Sequence, residues 1–357
     1  MSFYWNARTR GLVPYVPGEQ PEDGKIVIKL NTNENPYPPS PKVIDAVKKA
    51  ADERLRLYPD PACTEFREAA AARYGVRPEQ VFAGNGSDEV LAFAFAAFFE
   101  PGPGAPPVLF PDVTYSFYPV YAGLWGTPFR TVPLAEDFSI AIEDYFVPSG
   151  GAVIANPNAP TGLSLSVESV SVLAAYLEKQ GKVLVVDEAY IAFAGGGSSV
   201  PLIGRHPNIL TVHTLSKSAS LAGLRAGFAM GDETLMEGLC RVRDSFNSYT
   251  LDRLALAGAA AALSDAAYYD GVNERIIKTR ERVSAALAGM GFTVLPSSAN
   301  FIFTKHPRLG GGELSAALRK RGILVRHFDR PRIASCIRVS MGSDGDMDFF
   351  LDACREI

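Results

Sequence analysis

Cysteine is scarce in this chain. Of 357 residues only four are Cys (Cys63, Cys240, Cys336 and Cys354), and they lie far apart with no Cys-x-x-Cys pair. That leaves no basis for a disulfide framework or a cysteine zinc site and fits thiols kept reduced in a cytoplasm. An excess of positive charge is also missing: 35 Lys and Arg against 39 Asp and Glu give a net charge of −4. Without that excess nothing draws the chain to nucleic acid or to an anionic membrane face, so any phosphate it binds must be held locally. Long apolar runs are absent too. The longest, Val90 to Phe99, is too short to cross roughly 30 Å of hydrocarbon. The opening MSFYWNARTRGLVPYVPGEQ has no apolar core behind a basic patch, so no secretory signal is expected. No internal repeat and no low-complexity tract interrupts the chain. His206, His213 and His306 fall in loops or at strand ends and receive no role. The expectation is a cytoplasmic enzyme with no metal, no nucleic-acid partner and no membrane partner.

What is present is enough apolar residue, 47%, to bury a large core and a smaller one. Residues 1–40 are rich in Pro, Gly and Asn and read as an extended arm. Ser40-Pro41 then supplies an N-cap and a proline at the first helical position. Val43, Ile44 and Val47 form the apolar stripe, and Tyr58-Pro59-Asp60-Pro61 ends the helix. Across 41–250, short apolar runs alternate with helical stretches: Val81 to Ala83, Pro107 to Phe110, Ala152 to Ala155, Val183 to Val186, Ile209 to His213 and Gly227 to Met230. Runs this apolar on both faces suit strands buried between helix layers, hence an α/β domain with a mainly parallel sheet that binds ligands at its strand carboxyl ends. Residues 251–357 read as a helical stretch from Leu251 to Met290, an apolar segment at Asn300 to Phe303, a helix at Glu313 to Arg321, and strands at Ile323 to Arg326 and Ile337 to Ser340. That predicts a smaller α+β domain, with the arm joining it.

Four motifs fall where such a sheet places its ligand. Lys-Val-Leu-Val-Val-Asp-Glu-Ala-Tyr (182–190) is a buried strand ending in Asp187, with Tyr190 three residues on. A carboxylate there can hold a cationic ring nitrogen in a water-poor site; taken alone, it reads more readily as a strand-end Asp that caps a turn. Thr-Leu-Ser-Lys-Ser-Ala-Ser-Leu-Ala-Gly-Leu-Arg (214–225) surrounds Lys217 with hydroxyls and puts Arg225 eight residues later. Desolvation and a nearby like charge lower an amine's pKa, which imine chemistry needs, and the same hydroxyls and guanidinium would grip a phosphate. A solvated loop lysine is the ordinary alternative. Ala-Gly-Asn-Gly-Ser-Asp-Glu-Val (83–90) predicts a glycine turn into a helix with Ser87 at the N-cap. Its free amides form an anion site, although Asp88 and Glu89 already satisfy the dipole of a simple capped helix. Asn156-Pro157-Asn158-Ala159-Pro160-Thr161-Gly162 offers amides to a phenolic oxygen, or simply makes a turn.

In this order the motifs resemble those of the fold type I aminotransferases, and within them the histidinol-phosphate aminotransferase subgroup. The likeness runs from Leu30-Asn31-Thr32-Asn33-Glu34-Asn35-Pro36-Tyr37 to Ile337-Arg338-Val339-Ser340. It implies a fold type I PLP-transferase, with a mainly parallel seven-stranded sheet in the large domain, and pyridoxal 5'-phosphate as cofactor. Lys217 would hold the cofactor aldehyde and, once displaced by the substrate amine, move the Cα proton. Asp187 would pair with the pyridine nitrogen, while Tyr190 and Asn158 would address the ring hydroxyl. Ser216, Arg225 and Gly86-Ser87-Asp88 would hold the phosphate, and Tyr115 would stack on the ring. Tyr58 would reach the phosphate of a neighbouring subunit, implying a homodimer. One departure is Ala159, where the family usually has Asn directly before Pro-Thr-Gly.

Arg338 matches the family position that reads the anion attached to Cα, and Arg326 offers a second cation; a surface strand residue is the plain alternative for Arg326. With Tyr15, Asn35 and Tyr37 from the arm, they suit a dianionic phosphate better than one carboxylate. The implied substrates are L-histidinol phosphate and 2-oxoglutarate, giving imidazole-acetol phosphate and L-glutamate in histidine biosynthesis. An aromatic amino acid aminotransferase or a threonine-phosphate decarboxylase shares the same motifs. A non-catalytic PLP-binding regulator would carry a helix-turn-helix module, and the Pro-rich arm is too short for one.

Overall fold

The computed structural model describes residues 3–21 and 28–357. In the arm, a short helix α1 (Ala7–Gly11) precedes strand β1 (Ile28–Leu30). Helix α2 (Pro41–Ala50) starts as its sequence dictates: the Ser40 side chain accepts from the Val43 amide, and Pro41 occupies the first turn, where no amide is needed. The helix ends at Ala50, before Tyr58, and a short 3-10 turn (Glu53–Arg56) intervenes. Helix α3 (Thr64–Tyr74) follows.

The large sheet comprises β2 (Val81–Gly84), β3 (Val108–Pro111), β4 (Phe129–Val132), β5 (Gly151–Ala155), β6 (Leu184–Asp187), β7 (Ile209–Thr214) and β8 (Gly227–Gly231). Their order is β2-β8-β7-β6-β5-β3-β4. Strand β8 runs antiparallel to both neighbours, and the remaining pairings are parallel. Every residue of β5, β6 and β7 is buried, because helices cover both faces. Strand β4, not anticipated from the sequence, is the edge. Three of its four residues are exposed, so it carries neither an apolar run nor an alternation.

The second sheet consists of β1 with β9 (Thr293–Val294), β10 (Phe301–Lys305), β11 (Ile323–His327) and β12 (Cys336–Ser340), in the order β1-β11-β12-β10-β9. The arm joins it through parallel pairing of β1 with β11. Leu30 from the arm shares one apolar cluster with Ile323, Ile337, Val339 and Phe350. The stretch expected as one helical region is two helices, Arg253–Ser264 and Ala266–Gly289. Among the described residues no helix is long and apolar enough to cross a membrane, and no cluster of three or more His, Cys, Asp or Glu is arranged to hold a metal ion.

Candidate active site

The carboxyl ends of β5, β6 and β7 open into one cavity. The arm and the smaller sheet close it from the other side, contributing Tyr15, Thr32, Arg326 and Arg338. Lys217 stands in the single helical turn Leu215–Ser218 directly after β7. Its Nζ donates to the Thr32 carbonyl at 3.0 Å, and Asn35 Nδ2 donates to the Lys217 carbonyl at 2.9 Å. Burial, and then the Arg338 charge, pull the amine down to about 8. A lysine at that value is substantially neutral near pH 8 and therefore nucleophilic.

Asp187 ends β6 and is only 5% exposed. The Tyr118 hydroxyl donates to its Oδ2 at 2.9 Å and the Ala189 amide to its Oδ1 at 3.2 Å. Burial outweighs these bonds and pushes the carboxyl up to about 6. A carboxylate held at such a cost lacks a cation. Tyr190 is enclosed by protein, which raises its hydroxyl above the usual phenol range, and it accepts a hydrogen bond from Asn33 Nδ2 at 2.9 Å. Glu188, next to Asp187 in the chain, serves the opposite side of the sheet, where it accepts from the Ser199 amide at 2.6 Å and sits 3.0 Å from His213 Nε2.

At the third corner, helix α4 (Gly86–Phe98) begins. Its N-cap is Asn85, not Ser87, because Gly86 already starts the helix. The Asn85 side chain makes no capping bond, and Glu89 accepts only from the Asn85 amide, so the first-turn amides are left for an anion. Gly86 adopts φ +78°, which a Cβ would penalise. Behind it Gly227 is equally constrained, since a Cβ there would come within 2.4 Å of the Ser87 nitrogen. The Arg225 guanidinium faces the same end, donating to Asp88 Oδ2 at 2.9 Å and to Ser216 Oγ at 3.4 Å. Asp88 also anchors Tyr115, whose hydroxyl donates to Oδ1 at 2.7 Å.

Arg326 and Arg338 are directly opposed across β11 and β12. Arg338 donates Nη2 to the Asn31 carbonyl at 2.9 Å, but its inaccessible Nε has no partner. It keeps some surface toward the cavity while protein encloses it, and that burial lowers its pKa. Among the described residues the Arg326 side chain has no hydrogen bond or ion pair; its guanidinium carbon lies 5.5 Å from the centre of the Phe328 ring. Tyr15 stacks on Phe117 with 4.3 Å between centroids.

Of the residues singled out from sequence, the cavity gathers Lys217, Asp187, Tyr190, Ser87, Asp88, Tyr115, Ser216, Arg225, Tyr15, Arg326 and Arg338. Gly86 sits just behind this lining. Asn158 is not among the lining residues: its amide is engaged with Thr114 Oγ1, the Val113 carbonyl and Thr161 Oγ1, and Ala159 faces the cavity instead. Asn35 supports the lysine backbone rather than lining the cavity, and Tyr37 lies under Arg275, 4.1 Å from its guanidinium carbon. Tyr58 is 78% exposed and stacks on Tyr249. The sequence reading missed Tyr118, Asn33, Thr32 and Gly227, whose roles arise from contacts between distant segments.

Three chemical demands are thus met in one place: a buried carboxylate for a cationic ring nitrogen, a neutral-prone amine for an aldehyde, and free helix amides with Arg225 for a phosphate. Pyridoxal phosphate carries all three groups, and these residues fit it. The profile of the family described as Aminotransferase class I and II matches residues 25–354. The histidinol-phosphate aminotransferase of Aromatoleum aromaticum is 52% identical over 361 residues, covering 100% of this chain and 99% of that one. That of Methylococcus capsulatus is 52% identical, covering 100% and 98%. The solved histidinol-phosphate aminotransferase of Sinorhizobium meliloti, in complex with pyridoxal-5'-phosphate, superposes with a TM-score of 0.87 at 26% identity, covering 100% of this chain and 98% of that one. With its motifs, fold and cavity in agreement, the chain belongs to the class I and II aminotransferases.

Proposed function

We propose that this chain transfers the amino group of L-histidinol phosphate to 2-oxoglutarate, with pyridoxal 5'-phosphate as cofactor, giving imidazole-acetol phosphate and L-glutamate in histidine biosynthesis. The observation that carries the substrate is the opposed pair Arg326 and Arg338. Like charges directly across a sheet repel. A dianionic phosphate between two guanidinium forks removes that repulsion. The carboxylates of glutamate would use the same arginines in the second half of a ping-pong cycle.

When bound, the cofactor supplies a protonated ring that accepts the electrons released at the substrate Cα. The protein's share follows from its own groups. Lys217 Nζ would hold the cofactor aldehyde and, once free, is the group placed to move the substrate Cα proton. Asp187 keeps the ring nitrogen charged, and Tyr118 and Ala189 fix the direction of its oxygens. The Tyr190 hydroxyl addresses the ring oxygen, and the engaged state of Asn158 leaves this to Tyr190. Tyr115, in the cavity lining, would stack on the ring. Ser216, Arg225 and the backbone of the Gly86-Ser87-Asp88 turn would hold the phosphate. Tyr15 lines the same cavity as Arg326 and Arg338 and would border the substrate's phosphate.

The functional unit we propose is a cytoplasmic homodimer in which exposed Tyr58 reaches the partner's phosphate site. Within each chain, residues 1–40 form the arm, 41–250 the cofactor domain and 251–357 the small domain. The test is a comparison of kcat/KM for L-histidinol phosphate, L-phenylalanine and L-threonine phosphate with 2-oxoglutarate as acceptor. Preference for L-histidinol phosphate supports the reading. Preference for phenylalanine, or release of carbon dioxide from threonine phosphate, overturns it.

A further inference from the structure

We propose that Arg332 is a positioning residue for the substrate-anion site, latching the connection between β11 and β12 to the end of β3. This rests on the reading that Arg326 and Arg338 hold the substrate's anion. Those arginines sit on the two strands that this connection joins, so wherever its tip is held, the pair is held.

Among the described residues, Arg332 supplies the side-chain hydrogen bonds that tie this tip to the large-sheet side. Arg332 Nη1 donates to Asp112 Oδ2 at 2.9 Å, while Nη2 donates to the carbonyls of Leu134 and Ala135 at 2.9 and 2.8 Å. Asp112 is fixed in turn, because its Oδ1 accepts from the Leu134 amide at 2.9 Å and its own amide donates to the Val132 carbonyl. The guanidinium carbon also lies 5.4 Å from the centre of the Phe138 ring, which meets Phe303 of β10 edge-on. Asp112 directly follows β3 and stands three residues before Tyr115. The latch therefore ties the strands that carry the anion-reading arginines to the loop that carries the ring-stacking tyrosine.

Two observations show that the surroundings of Arg332 fix it in place. Arg332 has φ +71° and Phe138 φ +66°, left-handed backbone that residues with a Cβ adopt at a cost and keep only where surroundings over-determine it. Beneath the latch, Val113, Leu134, Phe303, Ile333 and Cys336 form an apolar cluster between the two sheets. Apolar contact is non-directional and tolerates sliding; a planar fork spanning a carboxylate and two carbonyls does not. Neither Arg332 nor Asp112 lines the cavity, so any effect on substrate must pass through the strands they hold.

The test uses the holoenzyme with Arg332→Ala, Arg332→Lys and Asp112→Asn, measuring KM and kcat with L-histidinol phosphate and with L-glutamate as donors. In Arg332→Ala the KM for both donors rises on the order of tenfold, as sub-ångström misplacement of positioning groups predicts, with kcat within about threefold of wild type. The absorbance of the bound cofactor stays unchanged. Arg332→Lys recovers little, since one ammonium cannot serve all three acceptors, and Asp112→Asn shifts KM in the same direction by less. Unchanged KM in Arg332→Ala, or a loss of kcat and bound cofactor at constant KM, overturns the proposal. Should the alanine variant not fold, unchanged KM in both other variants overturns it equally. If wild type does not turn over L-histidinol phosphate, the substrate reading fails while the L-glutamate arm still decides the latch.

Discussion

Replacing Asp187 by Asn should make the cofactor-free protein more stable at neutral pH while abolishing most of its catalysis. The carboxyl is buried and raised from 3.8 to about 6, with burial the leading cause. The unfolded chain releases this proton near 3.8, and the folded chain only near 6. Between those values the folded state binds more protons, so raising the pH through this window lowers stability. Above pH 6 the full penalty stands, about two pKa units or roughly 3 kcal/mol, falling to about half of that at pH 5 and vanishing below both values. A neutral amide in the same space avoids it. Urea denaturation of cofactor-free wild type and Asp187→Asn should show the variant ahead by up to about 3 kcal/mol at pH 7.5 and by about half as much at pH 5. Turnover should drop at least about a hundredfold, because the amide cannot hold the ring nitrogen's charge. A variant less stable than wild type at pH 7.5, with no pH dependence in the difference, would refute the claim that the site stores an unpaired charge for its ligand.

The rate at which pyridoxal phosphate attaches to cofactor-free protein should rise with pH and level off above about 8, since only the neutral Lys217 amine is a nucleophile; a plateau reached only near the ordinary lysine value of 10.5 would show that burial and Arg338 do not act on it. Arg326→Ala should reduce kcat/KM for L-histidinol phosphate by about 10- to 100-fold, the worth of a charge-assisted bond, and change that for L-phenylalanine far less; equal losses for both substrates would remove Arg326 from phosphate recognition. Gly227→Ala should weaken pyridoxal phosphate binding by at least about tenfold in a fluorescence titration, because its Cβ would meet the Ser87 nitrogen and the Gly86 carbonyl carbon, backbone atoms that cannot swing away; wild-type affinity would show that the α4 start tolerates displacement.

The parts of the fold legible in the sequence are those that burial writes directly into residue type. Strands β5, β6 and β7 stand out because both faces must be apolar. The start of α2 stands out because Ser40 and Pro41 have local chemical reasons to be there. The edge strand β4 leaves no such trace. Ser87 reads as an N-cap only if the preceding glycine is taken as turn, whereas Gly86 at φ +78° is already helical in its hydrogen bonding. Asn158 falls to the cofactor by motif alone, and nothing in the motif announces that Thr114, Val113 and Thr161 engage its amide. The contact of Tyr118 with Asp187 spans 69 residues and that of Asn33 with Tyr190 spans 157, so only the folded chain reveals them. Arg326 and Arg338 are each visible in sequence, but their face-to-face placement depends on the register of β11 against β12.

The central claim is that Lys217 and its cavity hold pyridoxal phosphate for amino transfer from L-histidinol phosphate. Its most direct test is the absorbance spectrum of the purified, cofactor-loaded protein before and after addition of L-histidinol phosphate with no 2-oxo acid present. Conversion of the bound cofactor from its aldehyde to its amine form, absent in Lys217→Ala, is the expected result. A spectrum that stays unchanged with L-histidinol phosphate yet converts with an aromatic amino acid would contradict the substrate, and a protein showing no cofactor absorbance even with added pyridoxal phosphate would contradict the account of the site.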